Sequence, residues 1–271
     1  MASRKRKADA SSSTHASKVS KPSVEELVGE ARGTPFAPAP KDEHRLTSDT
    51  IAKALQHLKQ DPDLAWIINK LGDDTSSLWN DAGRSADGSV DSLSQFLCLA
   101  ETRLRSRITV KLANALLQEV KEACGGTVTP ATLVANAAPL RLLLVGKFQG
   151  QQKFDALQSL AEHWQEMPDY NSMSSKDALA TLSKINGFGE ATILTFLVKA
   201  LARVDVLVES DGLVKAWLDR QKGVSKDGTN AQAMHERLLA TVNWKPWRSI
   251  GCLLIWSEKE DSHAGLATVL G

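Results

Sequence analysis

The sequence predicts an all-α protein, and three observations carry that reading. From Leu46 onward, apolar residues recur at helical spacing through most of the chain. The one run that reads as a strand, "VDVLVES" from Val204 to Ser210, finds no partner with matching alternation. Glycine, proline and short polar residues fall between the periodic runs, where helices start and stop. About ten helices are expected, in one large domain or two small ones, with no internal repeat of fixed period.

Composition fits this class. Of 271 residues, 42% are hydrophobic and 24% charged, enough to bury a core. The net charge of +1 leaves any nucleic-acid role to local clustering. Cys98, Cys124 and Cys252 are far apart and odd in number, with no CxxC or Cys/His spacing. That argues against zinc, an iron–sulfur cluster and a disulfide framework. No apolar run is long enough to span a membrane and no signal-peptide core is present, so no membrane partner is expected.

Residues 1–44 read as a disordered basic tail, rich in Ser, Ala and Lys, with three prolines in "TPFAPAPK". The run Arg4-Lys5-Arg6-Lys7, with a weaker cluster at Lys18 and Lys21, reads as a nuclear localisation signal. A solvated basic tail is the plain alternative. The helical domain is expected over 45–258. "SDTIAKALQHLKQ" offers Ser48 or Asp49 as a cap and puts Ile51, Leu55 and Leu58 on one face. Asp61-Pro62 interrupts, and "DLAWIINKLG" stops at Gly72. Residues 73–91 are polar loop. The next segment holds a helix, a break near Ser106, and a second helix ending at Gly125-Gly126. "TPATLVANA" and "APLRLLLVGKF" are short helices, and "QQKFDALQSLAEHWQE" is a longer one. "SKDALATLSKI" runs into Gly187, and "ATILTFLVKALA" follows. "DGLVKAWLDR", "AQAMHERLLATVNW" and "PWRSIGCLLIWSEKE" finish the domain, and 259–271 read as a C-terminal tail.

Two stretches carry chemistry. "KINGFGEAT", Lys184–Thr192, is a Gly-Phe-Gly turn between two helices, a helix-hairpin-helix pattern over about 182–200. Gly187 and Gly189 allow close approach and positive φ. The first N–H groups of the following helix lack internal partners, so a phosphate fits there. Phe188 is expected to pack inward, and Thr192 to add a hydroxyl. The alternative is an ordinary corner in which glycine only ends a helix. Asp211, twenty-two residues beyond Gly189, stands where the extended run meets a new helix. It reads as an N-cap. The same placement keeps a carboxylate ionised and rigid, as a residue facing a cationic transition state must be. Glu209 is the competing candidate.

With "WKPWRSIGCLLIW", Trp244–Trp256, these features resemble the helix-hairpin-helix (HhH-GPD) DNA glycosylases over about Leu46–Trp256, specifically the alkylation-repair branch of 3-methyladenine DNA glycosylase II type. The resemblance implies a two-lobed helical fold with the active-site cleft between the lobes. It implies a monofunctional hydrolase that removes alkylated purines in base-excision repair. It also implies action on double-stranded DNA with damaged bases; a monomer is expected, and the basic run of the tail points to the nucleus. Carried over, Asp211 is the catalytic carboxylate, and Gly187, Gly189 and Thr192 donate to DNA phosphate. Trp256 borders the base pocket. No organic cofactor is implied, but the carbonyls of Ser183, Ile185 and Phe188 would hold a structural Na+ or K+. Where relatives carry a Gln-Gln wedge, "SRIT" stands here. Arg107 is then the residue to fill the gap left by a flipped base or grip a phosphate, with Arg103, Arg105 and Lys111 making the surroundings basic. Ala191 replaces the lysine of relatives that also cut the backbone, and the tryptophan of many others, so no lyase activity is expected. Asn186 and Ser257 also depart from the pattern. The second reading is a non-catalytic or altered-specificity DNA-damage-binding protein on the same fold.

Overall fold

The structure, a computed structural model, describes residues 45–72, 78–79, 83–224 and 229–260, with side chains through 258. The basic tail, including Arg4–Lys7, Lys18 and Lys21, lies outside the described residues, as does the chain from 261. Among the described residues there are twelve α-helices and three short 3-10 turns. They are α1 (Ser48–Leu58), α2 (Pro62–Leu71), α3 (Ser92–Arg105), α4 (Val110–Ala123), α5 (Pro130–Ala135) and α6 (Ala137–Val145). Then come α7 (Gly150–His163), α8 (Ser175–Leu182), α9 (Glu190–Lys199), α10 (Gly212–Gln221), α11 (Asn230–Ala240) and α12 (Arg248–Glu260). The described residues hold no strand, only an isolated antiparallel bridge between Arg45 and Arg203.

Short polar side chains set most helix starts. Asp61, Asp91, Thr109, Thr129, Ser174, Asp211 and Thr229 each accept a backbone N–H of the helix they precede. The first helix is capped by Thr47, not Ser48 or Asp49. Thr47 and Thr50 each accept the other's backbone N–H, a reciprocal box that fixes the start one residue earlier. The helix at 248–260 also runs two residues past the expected domain limit of 258.

The helices sort into two packing groups. In the first, α3 touches α4, α7 and α9; α7 touches α5 and α6; and α8 packs on α9. In the second, α12 touches α1, α2 and α10, and α11 packs on α10. A ladder of aromatic contacts runs through the first group. Phe96, Trp164, Tyr170 and Phe196 follow one another with ring centroids 5.2, 6.1 and 5.7 Å apart.

The strand-like run is extended only over 206–208: 204–205 form a bend, and 209–210 a turn closed by Asp211 N–H on the Val208 carbonyl at 3.0 Å. It joins no sheet among the described residues, and α12 meets its backbone groups. Ser249 Oγ accepts the Val206 N–H at 2.9 Å and lies 3.3 Å from the Val206 carbonyl. Ser249 N–H donates to the Val204 carbonyl at 3.2 Å. Cys252 Sγ accepts the Val208 N–H at 3.5 Å. Arg248 Nε bonds the Asp205 carboxylate at 2.5 Å, and its Nη2 bonds the Asp205 carbonyl at 3.2 Å. Buried backbone groups need partners, and here side chains one helix away supply them.

Candidate active site

That rail ends at Asp211. Asp211 Oδ1 accepts three donors: Leu213 N–H at 3.0 Å, Val214 N–H at 3.1 Å and Trp256 Nε1 at 3.0 Å. The first two make it the N-cap of α10. The third ties it to α12, the helix that pins the rail. One carboxylate oxygen is thus saturated and the side chain cannot swing, while Oδ2 has no partner among the described residues. Asp211 and Trp256, paired by the resemblance, are in direct contact.

Trp256 is buried, 7% exposed. Besides its bond to Asp211, its ring is covered by the Lys199 ammonium, 4.8 Å from the ring centroid. Neither contact is legible in the sequence, since Lys199 is the last residue of α9, far away along the chain. Glu209, the competing carboxylate, is 3% exposed and bonded through Oε2 to Arg237 Nη1 at 3.1 Å. Arg237 in turn forks onto Asp219, at 2.7 and 3.2 Å. Burial raises the Glu209 pKa, and Arg237 acts to lower it. Glu209 is therefore consumed in a buried network that braces the approach to Asp211.

The rest of "WKPWRSIGCLLIW" is structural. Trp244 is fully buried, its Nε1 bonds Asp61 Oδ2 at 2.7 Å, and its ring packs against Gly251. A Cβ at Gly251 would come within 2.5 Å of the Trp244 ring, so glycine is required there. Lys222 closes this corner with bonds to Asp61 and Asp63. Burial pushes the Cys252 thiol up to about 12 and the Cys98 thiol up to about 11, so neither is a nucleophile.

The hairpin divides its two glycines by role. Gly187 has φ +84°, and a Cβ there would meet the Ala156 Cβ at 2.5 Å. Gly189 has φ −83° and nothing within 4 Å of a Cβ position. Gly187 is demanded by conformation and packing, whereas no described residue demands a glycine at 189. Phe188 is buried, as expected. Helix α9 follows Gly189, which supplies no side-chain cap, and the first N–H groups of a helix have no partner within it. Thr192 sits half-exposed in that first turn, and Ala191 beside it.

The turn from α3 to α4 carries Arg107, exposed and in the left-handed region at φ +60°. That conformation is unfavourable for a residue with a Cβ. Lys111, in the first turn of α4, is exposed too. Of the other arginines expected to make these surroundings basic, Arg103 is buried and Arg105 half-buried. Arg103 is 8% exposed, and Arg105 Nη1 bonds Asn114 at 3.0 Å.

No family model matches the sequence, and no curated protein matches it by sequence. The fold does have counterparts among solved structures. The Schizosaccharomyces pombe 3-methyladenine DNA glycosylase Mag1, in complex with abasic DNA, aligns with a TM-score of 0.59 at 19% identity, over 77% of this chain and 97% of that one. The Archaeoglobus fulgidus 3-methyladenine DNA glycosylase gives 0.54 at 16%, over 80% and 71%. The Bacillus halodurans DNA-3-methyladenine glycosidase gives 0.53 at 18%, over 80% and 93%. Through the greater part of its length, this chain has the fold of the 3-methyladenine DNA glycosylases.

Proposed function

We propose that this chain is a monofunctional DNA glycosylase that hydrolyses the N-glycosidic bond of alkylated purines in duplex DNA. The observation that carries the reading is Asp211, held by three donors on one oxygen and left with the other for substrate. A base inside the stack is out of reach, so the damaged nucleotide must be flipped into the site. A purine alkylated on a ring nitrogen is already cationic. When its bond to C1′ breaks, the base takes the bonding pair and leaves neutral, without a proton from the protein. Positive charge then develops on the sugar. Asp211, fixed before the reaction, stabilises that charge without reorganising. Water adds to C1′, and its proton passes to Asp211 or to solvent. Ala191 offers no amine, so a Schiff-base route to strand cleavage is not part of the proposal.

The N–H groups at the start of α9, the close approach allowed at Gly189, and Thr192 would hold a DNA phosphate. Arg107 and Lys111 would engage the duplex from the neighbouring turn. The carbonyls of Ser183, Ile185 and Phe188, hard oxygen donors in the connection from α8 to α9, would be the ones to hold a monovalent cation. The Ile185 carbonyl accepts one turn bond, from Phe188 N–H at 3.3 Å, and keeps its second lone pair. Such an ion would stiffen the turn that aims the N–H groups. The proposal includes a monomer that works in a cleft between two helical lobes, directed to the nucleus by the basic tail.

The test is base release. The full chain, incubated with duplexes carrying methylated purines, hypoxanthine or ethenoadenine, should liberate free base. Asp211→Asn keeps a good N-cap, so it should fold and bind an abasic duplex while release falls at least about a hundredfold. Release undiminished in that variant would remove Asp211 from its role. Lys199 on the Trp256 ring and the absence of an aromatic at Ala191 favour one second reading, a damage-binding protein without catalysis. Salt-dependent duplex binding with no base released from any of these substrates would establish it instead.

A further inference from the structure

Two buried cations lie beneath the Arg107 turn with no carboxylate among the described residues paired to them. Lys153, on α7, is 1% exposed, and its Nζ donates to the Leu104 carbonyl at 2.6 Å. Arg103, on α3, is 8% exposed, and its Nη1 donates to Ser106 Oγ at 2.7 Å. Ser106 Oγ donates back to the Arg103 carbonyl at 2.7 Å. Arg103 Nε is buried and bonds nothing. The charges that act on this pair are positive: Arg103 on Lys153, and Arg107 on Arg103. Buried like charges are costly, and an apolar chain of the same length would fill the space at less expense.

Both side chains end on the same piece of backbone. Lys153 holds a carbonyl in the last turn of α3, and Arg103 holds the residue that closes it. The next residue is Arg107, at φ +60° and exposed. On their other side the same elements press on the hairpin. Ala156, three residues after Lys153 on the same face of α7, is the atom group that forbids a Cβ at Gly187. Arg103 Nε lies 3.7 Å from that same Cβ position.

We propose that Lys153 and Arg103 are positioning residues that lock the Ser106–Arg107 turn to the hairpin, so that Arg107 enters the duplex in register with the phosphate held at Gly189. Gripping the backbone and filling the gap left by a flipped nucleotide then become one motion of a single rigid unit. The inference rests on the DNA-binding reading above, but not on the chemistry at Asp211.

The experiment uses the full chain and a duplex with 2-aminopurine beside a lesion, whose fluorescence rises when the neighbouring stack opens. Wild type should bind and give the rise. Lys153→Met keeps the length and removes the charge. It should bind with affinity lowered no more than about threefold, yet lose about nine-tenths of the rise, because a displaced group fails to reach its target. Ser106→Ala takes away the hydroxyl that Arg103 holds and should lose about half of it. This second variant decides the matter if Lys153→Met does not fold. A full rise in Ser106→Ala and in a folded Lys153→Met overturns the inference, as does wild-type binding with no rise at all. Failure of wild type to bind duplex DNA is a different result: it brings down the DNA-binding reading, and this inference with it.

Discussion

Between Val204 and Asp211 the chain passes through a bend, a short extended stretch and a turn, its polar groups met by side chains of α12 and α11, and it ends in a carboxylate with three donors on one oxygen. Between Arg103 and Gly189 the pattern is reversed. A helix begins without a cap, an arginine sits at positive φ, a guanidinium nitrogen is buried without a partner, and a lysine is buried on a carbonyl alone. The first region is complete by itself. The second is arranged as though some of its partners come from outside. A group that must stabilise charge gains from being fixed before the substrate arrives. A surface that must grip a polyanion needs donors and positive charge left unspent.

This contrast can be broken at either end. The largest effect is expected at Arg237. Arg237→Met leaves Glu209 buried and unpaired, and unfolding by denaturant should show a loss of about 3–5 kcal/mol at neutral pH. The pH dependence gives the sign. A carboxylate whose pKa is raised in the folded state contributes most when protonated, and that contribution is lost as pH rises through the raised value. The variant should therefore recover stability as the solution is acidified towards the ordinary carboxylate range, more than wild type does.

Gly187→Ala comes next. It forces a Cβ into the left-handed region and against Ala156, so thermal unfolding should show about 2–4 kcal/mol lost. Ser249→Ala removes the hydroxyl that serves Val206 and should cost about 1–3 kcal/mol in the same measurement, with slower base release because the rail to Asp211 slackens. The smallest stability change, and the sharpest comparison, is Gly189→Ala. Stability should stay level or rise by about 0.5 kcal/mol, since φ is −83° and the space is open. Duplex affinity, read by fluorescence anisotropy, should nonetheless fall about tenfold, since the methyl stands where a phosphate would come. Unchanged affinity in Gly189→Ala would make this end of the hairpin an ordinary corner and erase the contrast.

Helix positions were legible because capping chemistry is local. Asp61, Asp91 and Asp211 mark their helices within three residues. The Gly187 turn was legible for a similar reason, since positive φ favours glycine wherever it occurs. What the chain hid depends on distant neighbours. Lys153 sits in "QQKFDALQ" like any solvated lysine, and only the packing of α3 on α7 buries it. Ser249 and Cys252 look like small fillers of an apolar helix, yet their polar atoms replace the missing sheet. The conformation of Arg107 has no local signal at all. Glu209 and Asp211, two residues apart, are divided by partners from α11 and α12 that the sequence does not place beside them.

The Trp244–Asp61 hydrogen bond joins residues 183 apart in sequence. Closing so long a loop is slow compared with the neighbour-to-neighbour packing available to α3–α9. The order of assembly follows: the central helices can settle first, and α1 and α2 must wait for α12 to be present before their own core closes. Asp211 and Trp256 belong to that late-closing group. Maturation of the site is thus tied to the last step of folding, and a half-folded chain would carry the turn proposed to grip DNA without the carboxylate in place.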